Sequence, residues 1–239
     1  MPNIEILTLN QKMPNGNILI HPTIIYNDND LVLCDTGYPN QEDQIEKELN
    51  RLGFSLKDIT KIIITHHDHD HVGSLKAIKD KYNTITIISS ENEAMYIENQ
   101  RKSLRLSQAI EYNKTLDEEH ANFGRQFVTY LKSIKSCKVD QKVEEGDYII
   151  PGLQVIATPG HTPGHLSFYD ENSETFIAGD SLAIEDNKLV IANPEFTLDK
   201  EGCIQSINKI AKMEPKKIIC YHGGVMEGDL ATLLSDYLD

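Results

Sequence analysis

The sequence predicts an α+β fold arranged as a four-layer αββα sandwich. Strand-like runs come in two batches, and helical patterns flank each batch. No linker rich in Gly, Ser or Pro and no internal repeat divides the chain. The expectation is one domain over residues 1–239, with a helical insertion at about 91–136.

The elements follow in order. Ile4–Leu9 is a mixed strand. Thr23–Tyr26 and Leu31–Cys34 flank Asn27-Asp28-Asn29-Asp30, a strong turn cluster. From Asn40 to Leu52 the apolar residues Ile45, Leu49 and Leu52 keep helical spacing, with Gly53 as a stop. Lys61-Ile62-Ile63-Ile64-Thr65 is a short apolar run that predicts a strand buried on both faces. A helix is expected at about Val72–Tyr82 and a strand at Ile85–Ile88. Glu91 to about Ser136 is polar and helical in pattern, and predicts two or three helices over the site. Short strands are expected at Lys138–Val143, Leu153–Thr158, Leu166–Tyr169 and Thr175–Ala178. A helix at Lys200–Met213, a strand at Lys217–Cys220 and a last helix from about Gly228 to Tyr237 complete the pattern.

The 239 residues are 39% apolar and 25% charged, enough to bury a core without staples. The formal net charge of −14 argues against nucleic acid or an anionic membrane as partner, since both need clustered Lys and Arg. The expected partner is a small-molecule substrate, and the sequence leaves the oligomeric state open. Cys34, Cys137, Cys203 and Cys220 form no C-x-x-C pair. The N-terminus has no basic segment followed by an apolar one, so the expected location is the cytoplasm.

Four stretches carry chemistry. His66-His67-Asp68-His69-Asp70-His71 places four histidines and two aspartates in six positions, directly after the Lys61–Thr65 run. Imidazole nitrogen and carboxylate oxygen are the usual ligands of catalytic zinc, iron and manganese. Alternate side chains at a strand end share a side, so His66, Asp68 and Asp70 can converge, with His71 added by the turn. Thr158-Pro159-Gly160-His161-Thr162-Pro163-Gly164-His165 is a loop stiffened by two prolines and shaped by two glycines. Gly179-Asp180 and Tyr221-His222 each follow a strand-like run. Each of the last two is weak alone. Together the four place every candidate ligand at the C-terminal end of a strand.

These stretches resemble the metallo-β-lactamase superfamily, with its T-H-x-H-x-D-H, P-G-H-T-x-G-H and G-D motifs and a late histidine after a strand. Leu33-Cys34-Asp35-Thr36-Gly37 is similar to the family's early D-x-G strand end. The resemblance implies the metallo-β-lactamase fold and two divalent metal ions. It assigns His66, Asp68 and His161 to the first metal, Asp70, His71 and His222 to the second, and Asp180 to both. It gives Asp70 and Asp180 the catalytic roles, Asp35 the orienting of a ligand and His165 a supporting place. His67 and His69 fall on the "x" positions and should point away, so that removing His67 changes little. A register through His67, His69 and His71 remains open. Zinc is the expected metal. The carboxylate of Asp68, where the family has histidine, gives a harder donor set that also admits iron or manganese.

The implied reaction is hydrolysis of a small ester, thioester or lactone by a hydroxide bridging the metals. An iron-dependent redox enzyme of the persulfide dioxygenase kind and a metal-binding sensor without turnover are the alternatives. Ala183 stands where some lactonases carry tyrosine. Specificity is expected from the insertion and from the Leu182–Phe196 loop, with Tyr96, Arg101, Arg105, Tyr112 and Phe123 as pocket candidates.

Overall fold

Ile62, Ile63 and Ile64 are all fully buried, and they face alternate cores: Ile62 and Ile64 join one apolar cluster, Ile63 another. That alternation is the signature of a strand covered on both faces. In the computed structural model, which describes residues 2–13 and 16–234 apart from the side chains of Glu118, Glu119 and Ala231, it belongs to one of two central sheets.

The first half of the chain supplies strands β1 (Asn3–Ile6), β2 (Leu9–Met13), β3 (Gly16–Ile20), β4 (Thr23–Tyr26) and β5 (Leu31–Cys34), then helix α1 (Glu42–Arg51). Strand β6 (Lys61–Ile63), helix α2 (Leu75–Lys81) and strand β7 (Thr86–Ser90) follow. Three helices, α3 (Glu91–Ile97), α4 (Leu104–Asn113) and α5 (Glu118–Ser133), separate β7 from β8 (Gln141–Val143). The first sheet has the order β1-β4-β5-β6-β7-β8, antiparallel up to β5 and parallel from there.

The second half supplies β9 (Tyr148–Ile150), β10 (Leu153–Ala157), β11 (Leu166–Asp170), β12 (Thr175–Gly179), β13 (Ala183–Glu185) and β14 (Lys188–Val190). Helix α6 (Lys200–Lys212), β15 (Lys217–Cys220), β16 (Gly224–Glu227) and α7 (Leu230–Leu233) complete it. The second sheet has the order β16-β15-β12-β11-β10-β9, with β12 and β15 parallel. The C-terminal part of the predicted last helix, residues 235–239, lies outside the described residues.

Three apolar cores separate the four layers. One holds Ile45, Leu49, Ile62, Leu75, Ile78 and Ile87, where α1 and α2 cover the first sheet. A second joins Val32, Cys34, Ile63 and Ile88 to Val155, Phe168, Ile177 and Ile219, between the sheets. The third sets Phe176 and Ile218 against Ile207 and Ile210 of α6. Helix α1 ends where Gly53 takes φ +86°, with Gly53 N–H on Asn50 O and Phe54 N–H on Leu49 O. This is the left-handed stop that the glycine predicts. All four cysteines are buried free thiols. Among the described residues no helix is long and apolar enough to cross a membrane.

Candidate metal centre

Four loops leave β6, β10, β12 and β15 at their C-terminal ends and converge. Gly179 ends β12 at φ +55°, and a Cβ there would lie 2.9 Å from His165 Nε2 and from Thr65 Cγ2. Only glycine therefore lets the strand turn Asp180 inward against both neighbouring loops. Gly160 does the same for the His161 loop: at φ +142° its Cβ would meet Cys203 N at 2.4 Å.

The loops bring all seven predicted ligands into one cluster. His66, Asp68 and His161 form one group of donor atoms within 4.8 Å of one another, and Asp70, His71 and His222 form another. Asp180 lies between them. Its Oδ1 is 3.4 Å from His71 Nε2 and 3.6 Å from His222 Nε2, while its Oδ2 is 3.6 Å from His161 Nε2. One carboxylate thus faces both groups, one oxygen to each.

The cluster is built to take positive charge. The Nε2 atoms of His66, His71 and His222 and Oδ1 of Asp180 are buried without a hydrogen-bond partner. Buried polar atoms without partners are rare, and a missing ion is one physical reason for them. Three carboxylates, Asp68, Asp70 and Asp180, are buried together, and buried charges are normally paired or metal-bound. Burial opposes charge on His222, but the Asp180 and Asp70 carboxylates outweigh it and raise the imidazole to about 10. Burial likewise opposes charge on Asp180, and His222 and His71 outweigh it, holding the carboxyl well below the usual range. The protons drawn onto these imidazoles are those a divalent cation would displace. The donor set of nitrogen and oxygen fits zinc, iron or manganese.

Comparison with known proteins agrees with this geometry. The family model of the metallo-beta-lactamase superfamily matches residues 18–222. The chain belongs to the metallo-beta-lactamase superfamily. It is 28% identical over 211 residues to "Probable metallo-hydrolase YflN" of Bacillus subtilis (strain 168), covering 82% of this chain and 76% of that one. It is 28% identical over 194 residues to an N-acyl homoserine lactonase of Bacillus thuringiensis, covering 78% and 64% respectively. A metallo-beta-lactamase family protein from Thermus thermophilus superposes with TM-score 0.75 at 18% identity, covering 98% of this chain and 77% of that one.

Residues behind the candidate ligands fix their aim. Asp35 accepts hydrogen bonds from Thr65 N–H and Thr65 Oγ1–H, both at 2.9 Å, and its Oδ2 lies 2.8 Å from His71 Nδ1. That contact leaves His71 Nε2 as the free donor atom. Asp35→Asn puts an amide where that acceptor oxygen stands, so divalent-metal affinity should fall about 10–100-fold, measured by competition with a chromogenic chelator. His165 supports and does not ligate: its Nε2 accepts Asp180 N–H at 3.0 Å, and its Nδ1 is 2.8 Å from Thr158 Oγ1. Ser181 Oγ bonds Ala178 O at 2.8 Å.

Among the described residues, neither His67 nor His69 belongs to a donor group, although His69 Nδ1 lies 3.6 Å from Asp70 Oδ1. His69 sits against the rings of Tyr38, Phe127 and Tyr130. His67 nevertheless has close partners of its own. It is buried, its ring stacks on Tyr96 at 4.4 Å, and both its N–H and Nδ1 meet Glu93 Oε2. Its Nε2 accepts Leu104 N–H at 3.3 Å from the insertion.

Sequence reasoning missed Glu93 and Tyr221 and read Arg105 only as a pocket candidate. Glu93 is fully buried, and its Oε1 accepts from Thr162 Oγ1 and Gly164 N–H. With His67 on Oε2, it ties the two histidine loops together. The one signal was Ser90-x-x-Glu93, a pattern that ordinarily marks a helix start. Ser90 does cap α3, but Glu93 reaches outward instead of back. Tyr221 donates its hydroxyl to Asp70 O and stacks its ring on His71 at 3.9 Å. Arg105, read only as one of five pocket candidates, is 6% exposed and bonds Asp68 Oδ2 through Nε at 3.0 Å and through Nη2. Of the other candidates, Tyr112 and Phe123 are 66% and 64% exposed on the insertion.

Proposed function

We propose that this chain is a metal-dependent hydrolase of small esters, thioesters or lactones, with zinc as the favoured metal. The observation that carries this reading is the placement of Asp180 between two histidine–carboxylate groups, with one oxygen toward each. Divalent cations held there would supply Lewis acidity for a carbonyl oxygen and lower the pKa of water toward neutrality.

His66, Asp68 and His161 would hold one cation, Asp70, His71 and His222 the other, and Asp180 both. Substrate approaches from the side of Asp70 and His222. Their side chains are 11% and 20% exposed, whereas the other five are at 5% or less. Asp70, the most open of the three carboxylates, would take the proton of the attacking water. Asp35 and His165 keep His71 and Asp180 oriented while that proton moves. Lactones are the first substrates to test, because several relatives are N-acyl homoserine lactonases.

The test is a panel of acyl lactones, thioesters and aryl esters offered to the zinc-, iron- and manganese-loaded protein. Turnover of at least one class that disappears with chelation and returns with metal is expected. Metal-replete protein that turns over none of the three classes would overturn the reading.

A further inference from the structure

The two halves of the centre are not chemically equivalent. In the Asp70–His71–His222 half, His71 Nε2, His222 Nε2 and the Asp180 oxygen that faces them have no hydrogen-bond partner, and His66 Nε2 across from them has none either. In the other half, Asp68 Oδ2 is the oxygen aimed inward, 3.3 Å from His161 Nε2 and 3.6 Å from His66 Nε2. That oxygen already takes two hydrogen bonds from one guanidinium, from Arg105 Nε at 3.0 Å and from Nη2. The same Nη2 lies 3.4 Å from His161 Nε2.

Arg105 is held in that position. Its Nη1 donates to Gln108 Oε1 at 2.8 Å and to Phe196 O at 3.2 Å, and its guanidinium lies over the Phe196 ring at 4.6 Å. A guanidinium is charged at all working pH values, and its fork fits a carboxylate. It therefore competes for the oxygen a cation would need. It also places a fixed positive charge beside any cation bound there, which repels it.

We propose that the two metal sites have unequal affinity because Arg105 occupies the inward oxygen of Asp68. The Asp70–His71–His222–Asp180 site fills first, and the His66–Asp68–His161 site fills only at much higher metal concentration. This rests on the metal-dependent reading above and adds the order of filling and its cause. Arg105 acts through Asp68 and is a positioning residue.

The test is zinc titration of the metal-free protein against a chromophoric chelator, with bound metal counted by mass spectrometry. Wild type should take one tight equivalent and a second at least about tenfold weaker, the scale on which neighbours of a ligand alter affinity. His222→Ala should remove the tight equivalent. Arg105→Met should bring the second equivalent to within severalfold of the first, and Arg105→Gln is the backup should the methionine variant not fold. Two equal tight equivalents in wild type would overturn the proposal and leave the hydrolase reading standing. So would a second equivalent that stays weak in folded Arg105→Met or Arg105→Gln. No zinc binding by wild type would overturn both.

Discussion

Asp180→Ala is expected to lower kcat/KM by more than about 100-fold and to release bound metal, while the circular dichroism stays near wild type. Altering a partner behind a metal ligand typically costs 10–100-fold in affinity or activity. A side chain that faces both donor groups should exceed that range. Asp180 Oδ1 has no hydrogen-bond partner, and the Asp180 backbone is held independently by His165. Removing the carboxylate therefore leaves the loop supported. Unchanged activity together with unchanged metal content in Asp180→Ala would contradict the assignment.

Glu93→Ala is expected to damage the fold more than the chemistry. The carboxylate takes four hydrogen bonds from buried groups: His67 N–H, His67 Nδ1, Thr162 Oγ1 and Gly164 N–H. Each buried donor left without a partner costs about 1–3 kcal/mol, and breaking a buried charged pair costs about 3–5 kcal/mol. A loss of about 3–5 kcal/mol in urea unfolding is predicted, a large share of the roughly 5–15 kcal/mol that stabilises a domain. Glu93→Gln should fall between the two, since its amide keeps an acceptor for Thr162 and Gly164 but turns a donor toward His67. A loss below about 1 kcal/mol for Glu93→Ala would show that the two loops hold their places without it.

The clustered histidines and aspartates were legible because their chemistry is dense in sequence. Six consecutive histidines and aspartates follow an isoleucine run, and strand alternation dictates which of them converge. Asp35 and His165 were legible only through the motif, since nothing local marks a turn aspartate as a partner of His71. Glu93 and Arg105 act across 26 and 37 residues of sequence. Their surroundings look like ordinary polar helix, so burial alone reveals them.

The fold divides the same way. The strands that line the cores announce themselves as Ile62–Ile64 or Ile218–Cys220. The hairpin β2–β3 is mostly exposed, so its sequence carries no apolar alternation to read. The hairpin β13–β14 did carry a signal. Asp186 and Asn187 both adopt positive φ, 48° and 59°, as a tight two-residue turn requires. Its strands are three residues each, too short for a period to show.

The most direct test of the whole account is anomalous diffraction from crystals loaded with zinc and collected at the zinc edge. The account predicts a peak about 2.0–2.2 Å from His71 Nε2, His222 Nε2 and oxygens of Asp70 and Asp180. Zinc bound only outside the seven candidate residues, or no peak in this cluster at saturating zinc, would contradict it.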